Sequence, residues 1–148
     1  MESLNYTSNF STYKQAYLEV KAFLEEETWD KVKSLSTKIE NDLGCAGDDN
    51  YELIEKFVNK YNLDYEGFDY SKHFLSEGEL FDAFTPLYHL LMLPLWLIKI
   101  ISFGKINRLP PKGYWHRETL DLTFGDMVAW YLTGKFNLRS HVSIKLAK

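Results

Sequence analysis

The residue types best suited to chemistry in this chain crowd into one short run. From Ile39 to Phe57 the sequence reads IENDLGCAGDDNYELIEKF, which gathers Asp42, the single thiol Cys45 and the adjacent pair Asp48 and Asp49. Paired carboxylates bind Mg²⁺ or Ca²⁺ or move protons in acid–base catalysis, but a hard cation asks for further oxygen ligands in a defined set. Asp42 is close enough in sequence to join the pair, yet no calcium-loop spacing follows and no third carboxylate stands where it would complete a loop. A helix start explains both aspartates more simply. One side chain accepts an orphan N–H, and the other favours the positive end of the dipole. The run therefore predicts no metal ligand and no cofactor site.

The remaining reactive groups are scattered. The Cys45 thiolate is disfavoured by Asp42, Asp48 and Asp49, so the side chain reads as a small apolar residue rather than a nucleophile. His73, His89, His116 and His141 are far apart, and none has the i, i+4 spacing of a helical metal site. His89 reads as a buried, hydrogen-bonded residue. GYWHRE, from Gly113 to Glu118, mixes aromatic and basic groups and suits surface contact, with no activated nucleophile nearby. The chain has no phosphate-binding glycine loop, nucleophile elbow or zinc pattern, and the expectation is a protein without catalytic residues.

The elements that would position these groups are helical by periodicity. Ser11 or Thr12 is expected to cap a helix running to about Glu27, with Tyr13, Tyr17, Val20, Phe23 and Leu24 on its apolar face. An irregular segment from Thr28 to Asn41 follows, with Trp29, Val32, Leu35 and Ile39 as core anchors. Asp48 or Asp49 opens the next helix, and Asp49 with Glu52 makes a variant of the capping box. Leu53, Ile54, Phe57, Val58 and Tyr61 form its apolar stripe. A short helical turn is expected around Tyr70 to Phe74. Thr123, with Asp126 three residues on, caps a last helix whose end is set by Gly134. HVSIKL near the C-terminus can form a strand, and a loosely held basic tail is the other reading.

Composition sets the frame. A chain of 148 residues, 45% hydrophobic, can bury a core as one domain. A single cysteine excludes an internal disulfide framework. The first ten residues lack a basic and an apolar signal region and are expected to be flexible, and the protein to be cytoplasmic. The net charge of −4 is polarised: residues 1–83 hold 8 basic and 18 acidic groups, residues 84–148 hold 9 and 3. The acidic half is a poor nucleic-acid surface, and the two halves are expected to attract each other. Pro86 to Phe103 is the only candidate membrane segment. Pro94 and Lys99 disfavour insertion, so the run is expected to be a buried helical hairpin hinged at Pro94, with an exposed partner site or a lipid-binding segment as the alternatives.

Residues 36–74 resemble the heart of an acyl carrier protein. Asp42-Leu43-Gly44 is similar to the family's loop, Asp49, Glu52 and Leu53 to the helix that follows, and Lys60 to Tyr65 to its exit phrase. Thr123 to Leu132 resembles the last helix. The resemblance implies a serine at the position of Gly47, where the family carries its phosphopantetheine arm as a phosphodiester. Glycine has no hydroxyl, and Asp48 replaces an apolar leucine. A bacterial family of unknown function with the signature DLG-x-x-GDD and a carrier-like fold is more similar still.

Together these readings predict a mainly α protein. The expected architecture is one acyl carrier-like helical bundle over 1–148, with an apolar insertion at 84–113 and a short basic C-terminal tail. The resemblance implies docking of a protein partner with a basic surface on Asp48, Asp49, Glu52 and Glu55, without phosphopantetheine. Two other roles follow from the same features: an immunity protein that covers a basic toxin, and a working carrier of acyl or aminoacyl groups.

Overall fold

In the computed structural model, which describes residues 4–76, 79, 90–94, 97, 100, 101 and 118–147, residues 4–9 form a strand where a flexible arm is expected. This strand, β1 (Leu4–Asn9), runs straight into α1 (Phe10–Thr28). Asn9 has extended backbone angles, and its side-chain oxygen accepts from the Thr12 N–H at 2.7 Å. It therefore takes the cap expected of Ser11 or Thr12. Ala16, Val20, Phe23 and Leu24 are buried along one face of α1.

α1 ends against its own charge. Glu25, Glu26 and Glu27 lie at the negative end of the dipole, and each has a lysine partner: Lys21, Lys60 and Lys56 in turn. Trp29, expected as a core anchor, is instead 92% exposed and left-handed at φ 60°. It reverses the chain as the helix cap, which turns its side chain outward; Val32 and Ile39 behind it are buried as expected.

Three helices follow: α2 (Ile39–Leu43), α3 (Asp48–Tyr61) and the short α4 (Tyr70–His73). The last helix, α5 (Phe124–Thr133), closes the core. Thr123 and Asp126 form the expected capping box, and the second Asp126 oxygen accepts from the Arg139 N–H at 2.7 Å. Gly125 passes so close to the Leu35 carbonyl that a Cβ there would sit 2.8 Å away, so only glycine fits without a shift. Fully buried Trp130 packs on Phe57, Phe68 and Phe136, and its indole N–H donates to the Asp64 carbonyl at 3.0 Å. Phe23 of α1 meets Phe57 and Tyr61 of α3, so one aromatic cluster joins α1, α3 and α5.

The expectation of a purely helical bundle with a basic tail is overturned by β2 (Val142–Ala147). β2 pairs in parallel with β1, in register from Leu4↔Val142 to Asn9↔Ala147. The fold is mainly helical with a small parallel two-stranded sheet. Tyr6 and Ile144 point inward and pack on the core, which fixes the register because a one-residue slip would expose both. Among the described residues, no ion pair joins the chain's two charged halves, and every pair draws both partners from residues 21–72.

Two compact units divide the chain: residues 1–75 with 119–148, and residues 76–118. In the second, the Ser76 N–H and hydroxyl both donate to Glu79 at 2.9 Å. Residues 90–94, 97, 100 and 101 are helical, Pro94 included. The expected burial of this run fails where it is described: Leu90, Leu91, Leu93, Leu97, Ile100 and Ile101 are 50–73% exposed. His89, His116, the loop 108–113 and residues 113–117 of GYWHRE lie outside the described residues. No helix among the described residues is long and apolar enough to cross a membrane.

Candidate functional site

The start of α3 is built from a turn, not from a side-chain cap. Gly47 has φ 58° and ψ −128°, and the Asp49 N–H bonds to the Ala46 carbonyl at 3.2 Å. These are the marks of a type II′ turn with glycine in its first central position. Neither Asp48 nor Asp49 caps α3: the cap position is Gly47, which has no side chain, and the Asp49–Glu52 box does not form. Both aspartates lie in the first turn, so the dipole part of the expectation survives. The buried Gly47 is tied down through its carbonyl, which accepts from the Tyr70 hydroxyl at 2.7 Å. Burial, followed by the nearby Asp48, Glu40 and Tyr65, pushes the Tyr70 hydroxyl up to about 12.

Asp42 does not join the aspartate pair. Its carboxylate accepts from the Lys38 N–H at 2.8 Å and so stabilises the start of α2. Asp121, some eighty residues away, completes that job by accepting from the N–H groups of Glu40 and Asn41 at 3.1 and 3.0 Å. Among the described residues no group of three His, Cys, Asp or Glu side chains is placed to hold a metal. The Cys45 thiol is buried, and burial first, then Asp49, Asp121 and Asp30, pushes it up to about 11. His73 is buried as well, stacked on Phe68 with Nδ1 2.6 Å from the Leu120 carbonyl. His141 is in the turn before β2, far from His73 in sequence.

Asp48, Glu52 and Glu55 are spaced four and three apart and share one exposed row of α3. Asp49 sits on the flank, where it lines a cleft of about 220 Å³ with Glu27, Cys45, Glu52 and Lys56. A second cleft, of about 250 Å³, runs along the other flank between Tyr51, Glu55, Val58, Asn59 and Tyr65. Both are smaller than the roughly 300–1,000 Å³ of pockets that enclose a small molecule. No ion pair reaches the four acids among the described residues. Lys56, four residues after Glu52, is turned away to Glu27 at 2.9 Å. Tyr51 stands among these acids, 53% exposed, with its ring edge on Tyr70.

Two residues of this region were not evident from residue types. Asn50 is fully buried, and neither its side-chain nitrogen nor its oxygen has a hydrogen-bond partner among the described residues. The signal was its place on the apolar stripe, three and four residues before Leu53 and Ile54. Tyr70 could be read as a helix residue but not as the clamp on Gly47, because that contact spans 23 positions.

The model of a family described as "Protein of unknown function (DUF1493)" matches residues 10–89. Comparison with curated proteins and with solved structures gives no match.

Proposed function

This chain belongs to the DUF1493 family, and from that premise we propose that it is a non-catalytic cytoplasmic module that binds a protein partner through the acidic row of α3. The observation that carries the reading is a row that makes no ion pair among the described residues. Asp48, Glu52 and Glu55 are exposed, and Lys56, at the right spacing to pair with Glu52, is turned to Glu27 instead. Glutamates 25–27, in contrast, are each matched to a lysine. A partner with a basic surface would complete the row, gaining association rate and register from it. Tyr51 offers an amphipathic anchor beside the charges, and each flanking cleft has room for a partner side chain.

The sequence resemblance of residues 36–74 to a carrier implies docking on this helix. Gly47 speaks against transfer chemistry, because it has no hydroxyl and its turn is one that serine fits poorly. Co-purification from the native host tests the proposal, comparing the natural chain with Asp48→Lys, Glu52→Lys, Glu55→Lys combined. Loss of the partner, with capture weakening as salt rises, is expected. An unchanged set of captured proteins at low salt would sink the reading. The same row would serve an immunity protein, which is told apart by whether cells expressing a cognate toxin die without this chain.

A further inference from the structure

The cleft between Tyr51 and Tyr65 has walls of a particular chemistry. Tyr51, Glu55, Val58 and Asn59 follow one another at helical spacing, which stacks them on one side of α3. Tyr65 closes the cleft from the loop beyond the helix. That loop is held in place: the Leu63 N–H donates to the Val58 carbonyl at 3.0 Å, and the Asp64 N–H to the Gly134 carbonyl at 2.8 Å. Both rings are braced, Tyr51 on Tyr70 and Tyr65 on Phe68 and Trp130, yet they stay 53% and 40% exposed. Every wall belongs to the compact unit of residues 1–75 and 119–148. We propose that this cleft seats an arginine of the protein partner, with its guanidinium against the tyrosine rings and its N–H fork on the Glu55 carboxylate. This assignment rests on the reading of α3 as a docking helix.

Charge and desolvation select the occupant. Glu55 makes no ion pair among the described residues, and both lysines of α3 are engaged by α1, Lys56 with Glu27 and Lys60 with Glu26. An anionic group is repelled by Glu55. An apolar side chain would take water from that carboxylate and give nothing back. Burial first, then Tyr51 and Glu55, hold the Tyr65 hydroxyl above its usual range, so the walls act on one another across the cleft. The chain shows the same combination complete further along α3. There the Lys60 ammonium lies 5.3 and 5.8 Å from the ring centroids of Phe23 and Tyr61, and 3.8 Å from Glu26. In the cleft, two rings and a carboxylate stand without a cation among the described residues. Arginine suits this seat better than lysine: guanidinium is planar and weakly hydrated, stacks on aromatic faces and grips a carboxylate through two parallel N–H donors. A volume of about 250 Å³ admits one such side chain rather than a larger ligand.

Titration of the isotope-labelled full chain with acetyl-Gly-Arg-Gly-amide, followed by NMR, tests the assignment. Saturable shifts centred on Tyr51, Glu55 and Tyr65 are expected. The lysine peptide should bind about threefold more weakly, and the citrulline peptide, equal in shape but uncharged, about tenfold more weakly. Glu55→Gln, at an exposed position, should weaken the arginine peptide about tenfold. Tyr51→Leu should weaken it about threefold, and the spectra of both variants should otherwise match the natural chain. Shifts that do not saturate, that are equal with the citrulline peptide, or that ignore Glu55→Gln would overturn the arginine seat. A host partner lost with Asp48→Lys plus Glu52→Lys, yet fully captured with Tyr51→Leu plus Glu55→Gln, would also overturn it and leave the acidic row standing. Saturable peptide binding at the cleft, with no partner lost in either double variant, would keep the seat and sink the docking reading.

Discussion

Replacing Gly47 by serine restores the hydroxyl that the carrier resemblance calls for, and the turn geometry says that the change should damage the protein. At φ 58° and ψ −128° the backbone occupies a region that costs an L-residue about 1–3 kcal/mol. Relaxation is blocked, because rotating the Gly47 peptide would break the Tyr70 hydroxyl's bond to its carbonyl, which contributes about 1 kcal/mol. If Gly47 were helical, the sign would reverse, and Gly47→Ala would stabilise by about 0.4–1 kcal/mol. Urea unfolding of the full chain followed by circular dichroism separates the two. Gly47→Ala and Gly47→Ser should both lower stability by about 1–3 kcal/mol at an unchanged slope, or roughly 2–12 °C in melting temperature. Gly44→Ala provides a scale, since Gly44 has φ 71° in open space and only the left-handed penalty of about 1–2 kcal/mol applies. A Gly47→Ser chain as stable as the natural one would refute the turn argument. So would a mass gain after incubation with coenzyme A and a phosphopantetheinyl transferase.

Trp29→Gly should raise stability by about 1 kcal/mol, because it relieves a left-handed backbone and forfeits almost no burial at 92% exposure; a lower urea midpoint would contradict this. Asp126→Ala removes the acceptor for the Thr123 N–H, the Thr123 hydroxyl and the Arg139 N–H, and should cost about 2–4 kcal/mol. Thr123→Ala should cost about 1 kcal/mol, and equal losses for the two variants would show that the Arg139 bond adds nothing. Burial holds the Cys45 thiol protonated, so its contribution is complete below 9.0 and is lost as pH rises through about 11. Tyr70 and Tyr131 extend the loss from 10.0 to about 12. Melting temperatures should therefore fall steadily from pH 9 upward, Cys45→Ala should flatten the first part of the fall, and a rising curve would reverse the sign of the argument.

What could be read in advance was local and periodic. The stripe from Leu53 to Tyr61 and the Thr123–Asp126 cap lie within a few residues of themselves, so spacing alone reveals them. The failures all involve distance or backbone geometry. GDD reads as a cap because Asp is a good cap residue, but Gly47 takes the cap position through a conformation that residue type reports only as permission. Trp29 is apolar and reads as a core residue, whereas the helix end beneath it sets the direction of its side chain. LNYTSN lacks an apolar alternation, and its partner lies at the far end of the sequence, so nothing near β1 announces a strand. The acidic row was legible as residues on a helix. That Lys56 turns away from it was not, because the rival carboxylate belongs to α1.

The β1–β2 ladder also sets the order of events when the chain is made. Leu4 pairs with a residue that emerges roughly 140 positions later. At synthesis rates of about 5–20 residues per second, β1 waits roughly 7–28 s before its partner exists. Closing a loop of that length costs on the order of 4 kcal/mol in chain entropy, so the strand can dock only after the helices between have drawn the ends together. Asn5, Thr7 and Asn9 give the waiting strand a polar side that tolerates water. A chain stopped just before Val142 would leave β1 without its ladder, so β2 works as a late latch on β1.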